Sequence, residues 1–140
     1  MGLDMNLYLR KVGDKNYDNY EELAYWRKAN QIHAWIEDHV AGGNLEDCED
    51  YVVPMDKLKE LYILCRDILE ETEPFDSKLT TKGVEMAREK LPTRSGFFFG
   101  SQDYNRGYTY DLEATVRQLK PIITEYDGRD DVEIIYHAWW

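Results

Sequence analysis

The chain is poor in the features that most often disclose a function. It carries only two cysteines, Cys48 and Cys65, in 140 residues. They form no CxxC pair and join no Cys/His cluster, which argues against a disulfide framework and against a structural zinc site. Cys65 falls on an apolar helical stripe and reads as a small core residue. A reducing, cytoplasmic setting suits both. No apolar run reaches the length of a membrane span, and the start Met1–Leu9 lacks a basic region followed by a long apolar stretch. Neither a transmembrane helix nor a signal peptide is therefore expected. Asn6 stands where a myristoylation signal after Gly2 needs Ser or Thr. Basic residues are scarce, 17 Lys and Arg against 28 Asp and Glu, for a net charge of −11. That deficit argues against an electrostatic grip on the phosphates of nucleic acid and disfavours anionic membranes.

Catalytic signatures are missing as well. There is no Gly-x-Ser-x-Gly, no Gly-Lys-Ser/Thr of a phosphate loop, and no cysteine in an electropositive stretch. The histidines are His33, His39 and His137. They are dispersed, and the first two, six apart, cannot share a helix face. No metal site and no cofactor is expected. Repeats, low-complexity tracts and linkers are lacking too, so residues 1–140 read as a single domain.

What the chain has in quantity is aromatic rings, 14% of residues, with eleven Tyr and four Trp. Each brings a large apolar body and, in Tyr and Trp, one polar handle, suited to a core that meets a binding surface. Leu3, Met5, Leu7 and Leu9 alternate with polar neighbours, the period of a half-buried strand. Gly13-Asp14-Lys15-Asn16 is a turn. A helix is expected from about Tyr20 to Val40, capped by Asp18 or Asn19, with Tyr25, Ala29, Ile32, Ile36 and Val40 inward and Gly42-Gly43-Asn44 ending it.

Further on, Asp50–Val53 is a short strand candidate. Helices are expected at about Met55–Glu71, Leu79–Lys90 and Tyr110–Tyr126, the last kinked by Pro121. Val132–Trp140 is apolar on both faces and reads as a central strand. The fold class is α+β: a small antiparallel sheet pairing the two terminal strands, covered by three or four helices.

Two segments mix polar hydrogen-bonders with rings. The first runs from Tyr25 through Trp26, Arg27, Lys28, Asn30, His33 and Trp35 to Glu37. The second is Thr93-Arg94-Ser95-Gly96-Phe97-Phe98-Phe99-Gly100-Ser101. They read as two walls of one pocket. Arg27, Asn30, His33, Arg94 and Ser95 would supply hydrogen bonds, and Trp26, Phe98 and Tyr104 would supply stacking. Glu37, one turn after His33, could orient the imidazole and raise its pKa. The plainer alternatives are a core-edge histidine, a solvated Arg27 and Lys28, and a tight Gly turn that sends Phe side chains into the core. Tyr104, Tyr108, Tyr110, Tyr136, Trp139 and Trp140 could stack on a base, or simply pack the chain's end. Asp103 and Asp111 flank them and could pair on a metal, but acids are so common here that coincidence is the better account.

The opening Met1-Gly2-Leu3-Asp4-Met5, the run Tyr25-Trp26-Arg27-Lys28-Ala29-Asn30 with Ile32-His33 and Trp35, and Ser95-Gly96-Phe97-Phe98-Phe99-Gly100-Ser101 stand in one order. They resemble a family of small uncharacterised bacteriophage and prophage-type proteins. The resemblance covers most of the chain. It implies a phage or mobile-element origin, hence a host cytoplasm, and little chemistry. Asn6 departs from the aromatic expected there.

Three roles follow as expectations. The first is a non-enzymatic accessory protein that holds a small polar, nucleotide-like ligand, for instance to sequester a host defence signal. The second is an acidic inhibitor of a basic host protein, using Glu46, Asp47, Glu49 and Asp50 or Asp127, Asp130 and Asp131. The third is a small hydrolase using His33 and Glu37. The terminal Trp residues could mark a homo-oligomer interface.

Overall fold

The computed structural model describes residues 2–96 and 100–140. Four strands, β1 (Asp4–Lys11), β2 (Glu21–Arg27), β3 (Asp50–Val53) and β4 (Val132–Trp139), form one antiparallel sheet in the order β2-β1-β4-β3. The terminal strands pair along their full length, Asp4 opposite Trp139 and Lys11 opposite Val132. Four helices complete the described fold: α1 (Asn30–His39), α2 (Met55–Leu69), α3 (Thr81–Lys90) and α4 (Arg106–Tyr126). The α+β class and the central position of β4 are as the sequence predicts.

Strand alternation decides which face the helices cover. Met5, Leu7, Ala24, Trp26, Ile134, Tyr136 and Ala138 are buried in one cluster with Ile32, Ile36, Leu58, Leu61, Cys65, Ile68, Leu112 and Leu119 of the helices. The intervening positions, Asp4, Asn6, Tyr8 and Arg10 of β1 and Glu133, Ile135, His137 and Trp139 of β4, point to the other face. A bulge between Leu7 and Tyr8 puts Tyr8 opposite Glu22.

The segment Tyr20–Val40 is not one helix. Its first part is β2 and only Asn30–His39 is helical. Asp18 and Asn19 lie in a short 3₁₀ turn, Tyr17–Asn19, not at a helix cap. The break falls at Lys28, whose φ of 56° is left-handed, a conformation costing about 1–3 kcal/mol for a residue with a Cβ. Lys28 donates its N–H to the Leu3 carbonyl (2.7 Å), and its own carbonyl accepts from Asn30 N–H (3.0 Å). These bonds turn the chain from edge strand into helix.

Edge strand β2 is blunted by α4. The Gln118 side chain accepts from Tyr25 N–H (2.8 Å) and donates to Tyr25 carbonyl (3.1 Å). One amide thus satisfies a backbone pair that a neighbouring strand would otherwise take. The Trp26 indole donates to Thr115 Oγ1 (2.9 Å) and fixes α4 from the inner face. Helix α4 begins a turn earlier than its apolar pattern, because the Asn105 side chain caps it by accepting from Gly107 N–H, and it runs on through Pro121.

Candidate functional site

The two segments singled out by sequence do meet. Asn30, buried at the start of α1, is the staple. Its Oδ1 accepts from Arg94 N–H (2.9 Å) and its Nδ2 donates to Ser101 carbonyl (2.8 Å). One amide therefore holds both ends of the segment from Arg94 to Ser101. The Arg94 guanidinium donates to Glu37 Oε1 (2.6 Å) and Asp38 Oδ2 (2.7 Å), which raises its pKa further. The other Glu37 oxygen accepts from Leu45 N–H (3.2 Å). Glu37 is thus engaged by Arg94 and Leu45 and is not the orienting partner of His33.

His33 is only 3% exposed. Its Nδ1 lies 2.6 Å from Tyr136 Oη, and Trp140 packs edge-on to its ring. Burial, helped by the Arg94 charge, pushes the imidazole down to about 4, the reverse of the upward shift expected from a Glu partner. His33 is neutral at pH 7 and ties α1 to the central strand. Of the remaining sequence-predicted residues, Trp26 is core and Ser95 is exposed. The Tyr104 hydroxyl accepts from Thr93 N–H (3.1 Å), and its ring lies under the Arg88 guanidinium. Phe98 lies outside the described residues. The aromatic group at the chain's end does not act as one cluster. Tyr136 and Tyr108 are buried, Tyr110 is exposed, and Trp139 faces the opposite side of the sheet.

The acidic runs are partly neutralised at home. Asp127 pairs with Lys59 (2.6 Å) and Asp131 with Arg129 (2.7 Å). Asp47 accepts from Trp140 N–H (3.0 Å).

A hollow of about 540 Å³ opens where the β2–α1 connection meets the start of α4. Arg27, Lys28 and Gln31 line one side, Gly100, Ser101 and Asp103 another, and Asn105 to Tyr108, Tyr110 and Asp111 the third. Of the residues predicted to bind, Arg27 lines it. Lys28, Gln31, Arg106 and Asp111 were not foreseen as binding residues. Lys28 and Arg27 make no ion pair among the described residues, whereas Arg106 reaches Glu113 (3.2 Å). Gly100 is the residue this wall requires. Its φ is 83°, and a Cβ there would come within 3.0 Å of Lys28 Cβ and 3.1 Å of Lys28 carbonyl.

Asp111 forms the floor. Gln31, itself buried, donates to its Oδ2 (3.2 Å), yet burial dominates and lifts the carboxyl to about 6. A carboxyl of that kind changes charge near neutrality, and perturbed groups of this sort concentrate at binding and catalytic clefts. Two signals in the sequence bear on these residues: Asn105-Arg106-Gly107 is a helix cap, and Asp111 is an acid on the buried side of α4.

Among the described residues, no group of three or more His, Cys, Asp or Glu is placed to hold a metal ion, and no helix is long and apolar enough to cross a membrane. The chain matches no family model, no curated protein and no solved structure.

Proposed function

We propose that the protein binds a small anionic, nucleotide-like ligand in the hollow at the start of α4. The observation that carries this reading is the local charge. Three cations, Arg27, Lys28 and Arg106, converge on one concavity of a chain whose net charge is −11. Two carboxylates oppose them, Asp103 and Asp111, and Asp111 is half protonated near pH 6. Hollows of roughly 300–1,000 Å³ suit small organic ligands. Cations meet phosphate or carboxylate groups, and Arg does so with a two-pronged fork. The exposed Tyr110 ring at the rim offers a stacking face for a base or other ring. The strained backbone of Lys28 is a further support, because strain of this kind gathers where a ligand is clamped.

The reading is of a binder, not of a catalyst. His33 is buried against Tyr136, Glu37 is spent on Arg94 and Leu45, and neither lines the hollow. Together with the phage-type resemblance, this favours sequestration of a host signalling nucleotide as the biological use.

The test is a thermal-shift and calorimetric titration with cyclic and linear nucleotides, ADP-ribose and inorganic pyrophosphate. Binding to the native state alone raises the melting temperature with concentration, by about 2.7 kcal/mol of stability at a hundredfold excess over Kd. Lys28→Glu combined with Arg106→Glu is expected to weaken binding by roughly a hundredfold, while leaving the unliganded melting temperature within a few degrees. A panel that gives no shift, or binding that survives both reversals, removes this reading.

A further inference from the structure

The face of the sheet turned away from the helices carries a separate signal. Among the described residues a single buried side-chain polar atom has no hydrogen-bond partner, Asn6 Oδ1. Asn6 is 3% exposed and lies on inner strand β1. Its side chain belongs to the open face, because Met5 and Leu7 beside it enter the core. Its Nδ2 is committed to Glu22 Oε1 (2.5 Å) and, more weakly, to Ala24 carbonyl (3.5 Å). Pairing sets Tyr25 on one side of Asn6 and His137 on the other, with Asp50 beyond His137. Native proteins rarely leave such an acceptor bare, so an orphan of this kind calls for an explanation.

The surroundings say which donor would fit. Open-side positions of the four strands carry four carboxylates, Asp4, Glu22, Asp50 and Glu133, against two cations, Arg10 and Arg27. Arg10 is held by Glu133 at 2.7 Å. Asp50 accepts from Tyr17 Oη (2.7 Å) and lies 2.8 Å from His137 Nδ1. Exposed rings stand over the same surface: Tyr17, Tyr25 at 46% exposure and Trp139 at 41%. An amide oxygen accepts only N–H or O–H, carboxylates favour a positive charge, and ring faces attract cations.

We propose that this open sheet face docks a basic segment of a partner protein, an arginine or lysine side chain parting the rings of Tyr25 and Trp139 to donate to the covered Asn6 Oδ1. The site shares Arg27, at the end of β2, with the cationic hollow at α4 and is otherwise built from different residues. Charge complementarity selects the occupant. An acidic partner would meet Asp4, Glu22 and Asp50, and a purely apolar one would leave the buried oxygen bare.

The experiment is a titration of ¹⁵N-labelled protein with a tetra-arginine amide, followed by amide spectra at low and high salt. The expected result is a saturable shift of the Asn6 side-chain amide, the Trp139 indole N–H and the Tyr25 backbone N–H, weakening steeply with salt. Asn6→Val and, separately, the exposed Trp139→Ala should each weaken binding by roughly tenfold or more. The second variant keeps the test alive if the first does not fold. Three outcomes overturn the proposal. One is no shift on the open face. Another is an equal response to spermidine spread over Glu46–Asp47 and Asp127–Asp131, which marks diffuse charge attraction. The third is a hydrogen-bond coupling between His137 Nε2–H and Asn6 Oδ1 in the free protein, which means the oxygen is already satisfied.

Discussion

The hollow at the start of α4 and the open face of the sheet meet at Arg27, the last residue of β2, and carry opposite bias. In the hollow, Arg27 and Lys28 sit at the end of β2 where the backbone turns, and Arg106 answers them from α4. On the sheet, β1 and β2 present Asp4 and Glu22 beside Asn6. A net charge of −11 describes neither place. The contrast shows how charge is sorted by backbone direction. Strand pairing distributes the acids over a plane, whereas one left-handed residue, Lys28, turns the chain so that two neighbouring cations face a concavity.

The Asn30 amide pins one wall of the hollow, and breaking it should have the largest effect. Asn30→Ala removes the bonds to Arg94 N–H and Ser101 carbonyl. A buried group left without its partner costs about 1–3 kcal/mol. The loss should therefore total about 3 kcal/mol in denaturant unfolding and abolish ligand-induced stabilisation. Amide shifts of Asn6, Tyr25 and Trp139 should stay in place, because the open face does not rest on this staple. If they move as well, the two sites are one cooperative unit.

The next effect separates two buried titrating groups, Asp111 in the hollow and His33 behind it. Asp111 is lifted from 3.8 to about 6, so the native state holds that proton more tightly than the unfolded chain. Its contribution is complete below about pH 4 and is lost as pH rises through 6. His33 is lowered from 6.5 to about 4, so its contribution is complete above pH 6.5 and is lost as pH falls toward 4. At about 1.4 kcal/mol per unit, His33 accounts for about 3 kcal/mol, and Asp111, which meets solvent in the hollow, for about 2. Between pH 4 and 6 the two largely offset one another. Asp111→Asn should expose a stability that climbs with pH over that window, and His33→Gln one that falls. Parallel profiles for the two variants would refute the assignment. An anionic ligand adds a third readout: it should bind more tightly below pH 6 in the parent protein and lose that dependence in Asp111→Asn.

These sites were unequally legible in the sequence. The terminal strands were readable because Met5 and Leu7 alternate with polar neighbours and because β4 is apolar on both sides, the mark of an inner strand. Helices α2 and α4 follow from their 3.6-residue stripes. Strand β2 was hidden. Tyr25, Ala29, Ile32 and Ile36 keep helical spacing across the break, and the break is made by a lysine in a left-handed conformation, where glycine or asparagine would be the usual signal. Asn30 and Arg94 read from sequence as polar residues of one pocket. The structure brings them together as partners to each other, with Arg94 also paired to Glu37, which no spacing rule could foretell. Asp111 is one acid among many in the sequence, since its burial depends on where α4 lies against α1.

The smallest effect tests the other side of the comparison, and its sign matters more than its size. Asn6→Val deletes an oxygen that has no partner and an amide bonded to Glu22, which can turn to water. Replacing a half-satisfied buried polar group by an apolar one of similar size is close to neutral or stabilising, here by about 1 kcal/mol. Valine also suits a strand better than asparagine. The variant should therefore melt at the same or a slightly higher temperature than the parent while binding tetra-arginine less well. A drop of several kcal/mol instead would mean that Asn6 is needed to hold the sheet together. A gain in stability bought with lost binding is what a residue kept for recognition predicts, and Asn30, whose loss lowers stability and ligand binding together, provides the control.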